Sequence, residues 1–186
     1  MSAANDNPVR EAAQAILRVL NQQPFDEARL HREVEAAATR LVQVPDLKSL
    51  GVKREANHVN ASYYLYYDTE MKITLDYLAN NKTLPVHEHG AFEAFAVYQG
   101  RLHHTVYQQV DDNKQPGFAD LKVIDDRELA KGDFALVAPP ADIHGFTSLA
   151  DETCLLTVAT GHYLPNRRYF NPEKKSYVFA ATKNTR

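Results

Sequence analysis

The chain has 186 residues, 44% hydrophobic and 24% charged, with a formal net charge of −3, a size that suits one domain. Its single cysteine, Cys154, excludes an internal disulfide framework and fits a reducing cytosol, so a cytoplasmic location is expected. Scattered basic residues, no window near the ~18 apolar residues of a membrane span, and no basic-then-apolar N-terminal run argue against nucleic-acid, membrane and secreted classes.

The first 45 residues read as helical. Asn7 is an N-cap candidate and Pro8 suits the first helical position. Ala12, Ile16 and Leu20 then recur at helical spacing. Pro24 breaks the pattern, and Asp26 can cap a second helix carrying the apolar stripe Leu30, Val34, Ala37, Leu41. Pro45 ends it. Two such helices make no core alone, so we expect residues 1–60 to form a helical segment packed on a barrel of residues 61–186.

From about Ala61 the period changes. Expected strands are Ser62–Tyr67, Met71–Leu78, Phe92–Tyr98, Leu102–Val110, Leu121–Ile124, Phe134–Ala138 and Thr153–Thr160, separated by Asn-, Gly- and Asp-rich turns. No helical pattern interleaves them, so the class is all-β, a sandwich or barrel. The tail after Pro165 carries Tyr169, Phe170, Tyr177 and Phe179 and is expected to lie back over the barrel.

The chemistry concentrates in Pro85-Val86-His87-Glu88-His89-Gly90-Ala91-Phe92-Glu93, followed by Gly100. His87 and His89 are two apart in an expected strand, so both imidazoles should project from one face. Glu93 follows across the Gly90 bend. His144 comes after Gly132 and the Pro139-Pro140 turn, and converges on the pair if the two strands are neighbours. Three neutral imidazoles and a carboxylate suit a first-row divalent metal with open positions for substrate.

His87-x-His89-x3-Glu93-x6-Gly100 resembles the first motif of the cupin superfamily, and Gly132-x6-Pro139-x4-His144 resembles the second. Where that family usually has a glycine six residues before the first histidine, this chain has Asn81, which also tolerates the left-handed conformation. The second motif departs at Pro139-Pro140-Ala141-Asp142, and Ser148 stands where an asparagine is usual. The resemblance covers about residues 63 to 163. It implies a jelly-roll barrel with two N-terminal helices against it and metal ligands at His87, His89, Glu93 and His144.

A narrower resemblance is to the cysteine dioxygenase-like cupins, on the two leading helices, Pro45-Asp46-Leu47, Tyr64-Leu65-Tyr66-Tyr67-Asp68 and Pro85-Val86-His87-Glu88-His89-Gly90. It implies a non-haem iron(II) dioxygenase with three histidine ligands, acting on a small thiol or other organic molecule. Three departures stand out. Ala61–Tyr67 carries no arginine for a substrate carboxylate, so free cysteine is not the expected substrate. Thr157-Val158-Ala159-Thr160-Gly161, with His162 and Tyr163 beyond, replaces the family's Ser-x-His-x-Tyr run. Glu93 has no counterpart in the thiol dioxygenases.

Two roles for Glu93 stay open: a fourth metal ligand, or a catalytic base whose pKa burial would raise. The corresponding alternative function is an isomerase, lyase or hydrolase using Mn, Ni or Zn; a non-enzymatic small-molecule-binding cupin is a third. The cofactor expected first is Fe(II). Expected partners are a small-molecule substrate and O₂, with no nucleic acid, no membrane, and a homodimer left open.

Of the remaining candidates, only one of His103 and His104 can face the interior, as a structural side chain or a partner of the site. Arg101 reads as a surface charge and Cys154 as a buried structural thiol. His162 and Tyr163 either reach the pocket mouth or cap a strand. Arg167-Arg168 reads most simply as a solvated pair, with an anion-binding role at the rim as the alternative. His31 and His58 carry no signal.

Overall fold

The structure, a computed structural model, describes residues 7–56 and 58–180. Helix α1 (Pro8–Leu20) starts where the Asn7 side chain accepts the backbone N–H groups of Val9 and Arg10, at 3.0 and 3.1 Å. Helix α2 (Glu27–Leu41) starts where Asp26 accepts the N–H of Arg29 at 2.9 Å. Each cap satisfies helix donors that would otherwise be orphaned.

Twelve strands follow: β1 (Val52–Arg54), β2 (Ala61–Tyr67), β3 (Met71–Ala79), β4 (Thr83–His87), β5 (Glu93–Gln99), β6 (Arg101–Gln109), β7 (Leu121–Ala130), β8 (Phe134–Val137), β9 (Ile143–Ser148), β10 (Glu152–Thr160), β11 (Arg168–Asn171) and β12 (Ser176–Phe179). They form two six-stranded sheets, ordered β1-β2-β3-β10-β5-β8 and β12-β11-β4-β9-β6-β7, with every pairing antiparallel. From β3 to β10 the chain switches sheets at each connection except the β6–β7 hairpin. That is the jelly-roll order, and the expected fold class holds.

The first sheet is buried on both faces. Ile73 and Leu75 of β3, Ala94 and Ala96 of β5, and Leu156 and Val158 of β10 pack with Ile16, Val34 and Leu41 of the two helices. The intervening residues Leu78, Phe95, Val97 and Leu155 pack with Leu102, Leu129 and Phe146 of the second sheet and so face the barrel interior. Lys72, Thr74 and Asp76 share the parity of Leu78 on β3 and point the same way. Polar residues here face a cavity rather than open solvent.

Several elements differ from expectation. Strand β7 runs six residues past Ile124, through Asp125-Asp126-Arg127-Glu128. It is an edge strand whose side chains are mostly exposed, so its charged residues obscured the β pattern. The tail does return over the barrel: β11 and β12 form a hairpin, and β11 pairs with β4 at Tyr169 and His87. Asn81 has φ 57°, as its place in the turn before β4 required. Among the described residues no helix is long and apolar enough to cross a membrane.

Candidate metal centre

His87 and His144 are direct register partners on the neighbouring strands β4 and β9. His89 reaches them differently from the expected strand alternation. β4 ends at His87, and the chain turns at Gly90, φ 65°, where a Cβ would collide with the Leu164 side chain. Buried Asp142 holds that turn by accepting the N–H groups of His89 and Gly90 at 3.1 and 2.6 Å. Asp142 lies two residues before His144, so one carboxylate ties both ligand-bearing segments together. A tight turn, rather than strand parity, aims His89.

One ring nitrogen from each of His87, His89 and His144 lies within 4.8 Å of the others, and all three side chains are buried. His89 Nε2 and His144 Nε2 are 3.0 Å apart. Two metal–nitrogen bonds of about 2.1 Å at a right angle would place their nitrogens about 3.0 Å apart. Glu93 presents Oε1 at 3.3 Å from His89 Nε2 and 3.8 Å from His144 Nε2.

Second partners set the tautomers. His87 Nδ1 lies 2.8 Å from the Pro85 carbonyl oxygen, which can only accept, so His87 carries its proton there and leaves Nε2 free. His144 Nδ1 lies 3.0 Å from His104 Nε2. With His144 Nε2 given to a metal, its Nδ1–H donates to His104, and His104 is protonated on Nδ1. That Nδ1 is buried without a partner, as is Nδ1 of His89. Burial drives the pKa of His87 and of His104 down to about 4, and that of His144 well below its usual value. Convergent imidazole nitrogens, with His87 and His144 held neutral by burial, are donors that suit a divalent metal.

Glu93 corrects one expectation. Burial does push its pKa up, but contact with His89 and the hydroxyl of Tyr163, which donates to Oε2, outweigh it in the metal-free protein and hold the carboxyl below its usual range. A carboxylate so stabilised is ionised at neutral pH rather than poised to exchange protons. The Tyr163 hydroxyl goes to Glu93, and its ring packs 4.4 Å from that of His89.

The remaining candidates separate clearly. His104 is the inward member of its pair; His103 faces outward against Asp126 at 3.0 Å. Arg101 is exposed beside Glu128. Cys154 is buried, which pushes its thiol up to about 12, consistent with a structural role. Arg167 and Arg168 are not a solvated pair. Arg168 makes a two-pronged, mostly buried contact to both carboxylate oxygens of Glu88, at 2.8 and 2.7 Å, anchoring the tail beside the ligands. Arg167 lines the cavity, as do Lys72, Arg54 and His58, whose roles sequence reasoning missed. The signal for Lys72 was available: a lysine, a threonine and an aspartate at alternate positions of an otherwise apolar strand.

The cavity has a volume of about 300 Å³; His87, His89 and Glu93 are among its lining residues, and Leu78, Leu84, Phe146 and Leu155 supply apolar lining. No family model and no curated protein matches the chain. Solved structures similar to it include the following three. KdgF from Halomonas sp. is 11% identical, with TM-score 0.47, over 60% of this chain and 86% of that one. An RmlC-like cupin from Shewanella frigidimarina is 17% identical, with TM-score 0.43, over 59% and 83%. The polyketide cyclase RemF from Streptomyces resistomycificus is 15% identical, with TM-score 0.46, over 65% and 80%.

Two consequences are measurable. His104→Phe removes the acceptor for His144 Nδ1–H, and chelator competition should show metal affinity lower by about 10–100-fold. His104→Gln, which keeps an acceptor, should recover part of that loss; equal affinity in all three proteins would leave His104 as packing only. The second is a pH effect on metal-free protein. His87 and His104 bind protons less readily folded than unfolded, so between their ordinary value near 6.5 and about 4 the unfolded state holds more protons. Stability therefore falls as pH drops through that window, by about 3 kcal/mol per group at most. Urea midpoints that stay flat from pH 7 to 4 would contradict the buried neutral state.

Proposed function

We propose that the chain is a metal-dependent enzyme of the cupin type, an iron(II) dioxygenase acting on a small organic molecule. One observation carries the reading: three buried imidazoles converge beside a carboxylate, and His87, His89 and Glu93 of that cluster line a cavity of substrate size. His87, His89 and His144 would hold the ion through nitrogen, with Glu93 as a fourth donor through oxygen. When bound, iron(II) supplies a coordination sphere in which O₂ and substrate are activated together. The protein does the rest. Pro85 and His104 fix the ring tautomers of His87 and His144. Tyr163 keeps its proton directed at Oε2 of Glu93, which leaves Oε1 toward the histidines. Leu78, Leu84, Phe146 and Leu155 offer the substrate's carbon chain an apolar wall.

The alternative, an isomerase, lyase or hydrolase with Glu93 as base, loses support from the depressed pKa of that carboxyl, since a weakly basic carboxylate abstracts protons poorly near neutral pH. The test is metal analysis of anaerobically purified protein, followed by O₂ uptake with a panel of small thiols and aromatic compounds. Bound iron and substrate-dependent O₂ consumption are expected. Turnover that proceeds without O₂, on zinc, nickel or manganese, would replace this reading with the alternative.

A further inference from the structure

Five charged side chains besides the histidines line the cavity: Arg54, Lys72 and Arg167 against Asp76 and Glu93. Arg54 is engaged, with Nε donating to Ser62 at 2.6 Å and an ion pair to Asp76 at 3.7 Å. Asp76 in turn accepts from Ser62 and, at 2.6 Å, from Thr74. Glu93 is taken up by Tyr163 and faces His89 and His144. Lys72 and Arg167 remain, and among the described residues neither makes an ion pair.

Both cations address one aromatic ring. Lys72 Nζ lies 3.5 Å from the centroid of Tyr163, and the Arg167 guanidinium carbon lies 5.3 Å from it. Arg167 also donates to the Tyr169 hydroxyl at 3.3 Å. Both side chains are half-buried. A ring face attracts a cation but accepts none of the directed hydrogen bonds that an ammonium or guanidinium can donate. Two like charges held close to one ring, partly out of water, are costly unless an anion joins them. The Lys72 ammonium registers that cost: burial pulls its pKa down, and only Glu93 and Asp76 pull it up against Arg54 and Arg167.

We infer that the cavity binds the carboxylate of its substrate between Lys72 and Arg167, beside the Tyr163 ring. This rests on the reading of the cavity as a substrate pocket at a metal centre, and it names the substrate class: a small organic acid. The Tyr163 hydroxyl contacts Glu93, so the two cations stand about one phenol ring from the metal-binding carboxylate. An acid with a short chain can span that gap, laying its chain on Leu78, Leu84, Phe146 and Leu155 and its second donor on the metal. The absence of arginine on β2 therefore does not leave the pocket without a carboxylate partner. The cations come from β3 and from the returning tail, on elements distant in sequence.

The test is calorimetric titration of the anaerobic iron(II)-loaded protein with 3-mercaptopropionate and with 3-mercaptopropan-1-ol, which share a thiol and differ in the carboxylate. The acid is expected to bind at least about tenfold more tightly, as a charge-assisted contact to a half-buried cation provides. Lys72→Met and Arg167→Met should each remove about tenfold of acid affinity, with metal content and alcohol affinity unchanged. Equal binding of acid and alcohol, an acid advantage that survives the double substitution, or no binding of either compound would overturn the inference. Repeating the titrations without metal separates it from the reading on which it rests. An acid advantage that persists while metal adds no affinity would retire the metal-centre reading and keep the carboxylate subsite. Metal-dependent binding with acid and alcohol equal would do the reverse.

Discussion

Replacing His87, His89 or His144 with alanine is expected to cost metal affinity by more than about 100-fold, beyond the loss typical of an outer partner. Each imidazole is buried with its neighbours' nitrogens facing it, so no water-exposed donor stands by to replace the lost one. Metal content of protein purified under limiting iron reads the effect directly. Stability reads it a second way. A metal that binds only the folded state adds about 2.7 kcal/mol at a hundredfold excess over its dissociation constant, about 5–10 °C for a chain of this size. The wild type should show that gain on loading, and the three variants should not. Full metal occupancy in any one variant would remove that histidine from the site.

Glu93→Gln separates the two roles the motif leaves open for this residue. As a ligand, Glu93 contributes a charged oxygen beside His89 and His144. The amide is a neutral and poorer donor to a hard cation, so metal affinity should fall and the spectroscopic signature of the bound ion should change. As a base, the same substitution would leave metal content intact and depress turnover by about 10²–10⁴-fold. The pH profile distinguishes them further. A base raised by burial would give activity that climbs through its pKa near neutrality. The contacts to His89 and Tyr163 hold Glu93 below the usual carboxylate range instead, so this group should contribute no rise between pH 6 and 8. We expect the ligand outcome: lowered metal affinity and a flat profile. Unchanged metal and unchanged turnover would leave Glu93 structural.

The amino-acid sequence by itself determined the helices, most strands of the barrel and the identity of the clustered histidines. Local signals carry that information. Asn7-Pro8 and Asp26 are caps that act within one turn, and the helical stripe and strand alternation repeat over distances that a single segment spans. His87, His89, Glu93 and His144 were legible because turn residues bracket them: Gly90 and Gly132 both adopt the left-handed conformation.

What only the tertiary structure decided is which faces look inward and which distant side chains meet. Lys72, Thr74 and Asp76 alternate with Ile73 and Leu75, a pattern that sequence reading assigns to an amphipathic strand with a solvent face. Helices cover the other side of that sheet, so both faces are internal and the polar one lines the cavity. No local pattern records that α1 and α2 fold back across it. Whether Tyr163 reaches the pocket or caps a strand, and whether Arg167 and Arg168 are solvated, stays open in the sequence because two of their partners, Glu93 and Glu88, lie 70 and 80 positions away. His104 was one of two adjacent histidines until pairing of β6 with β9 buried it against His144. Burial and pairing are properties of the assembled barrel. They turn ordinary surface residue types into tautomer setters, cation pairs and a depressed carboxyl, because removal of water makes each remaining partner decisive.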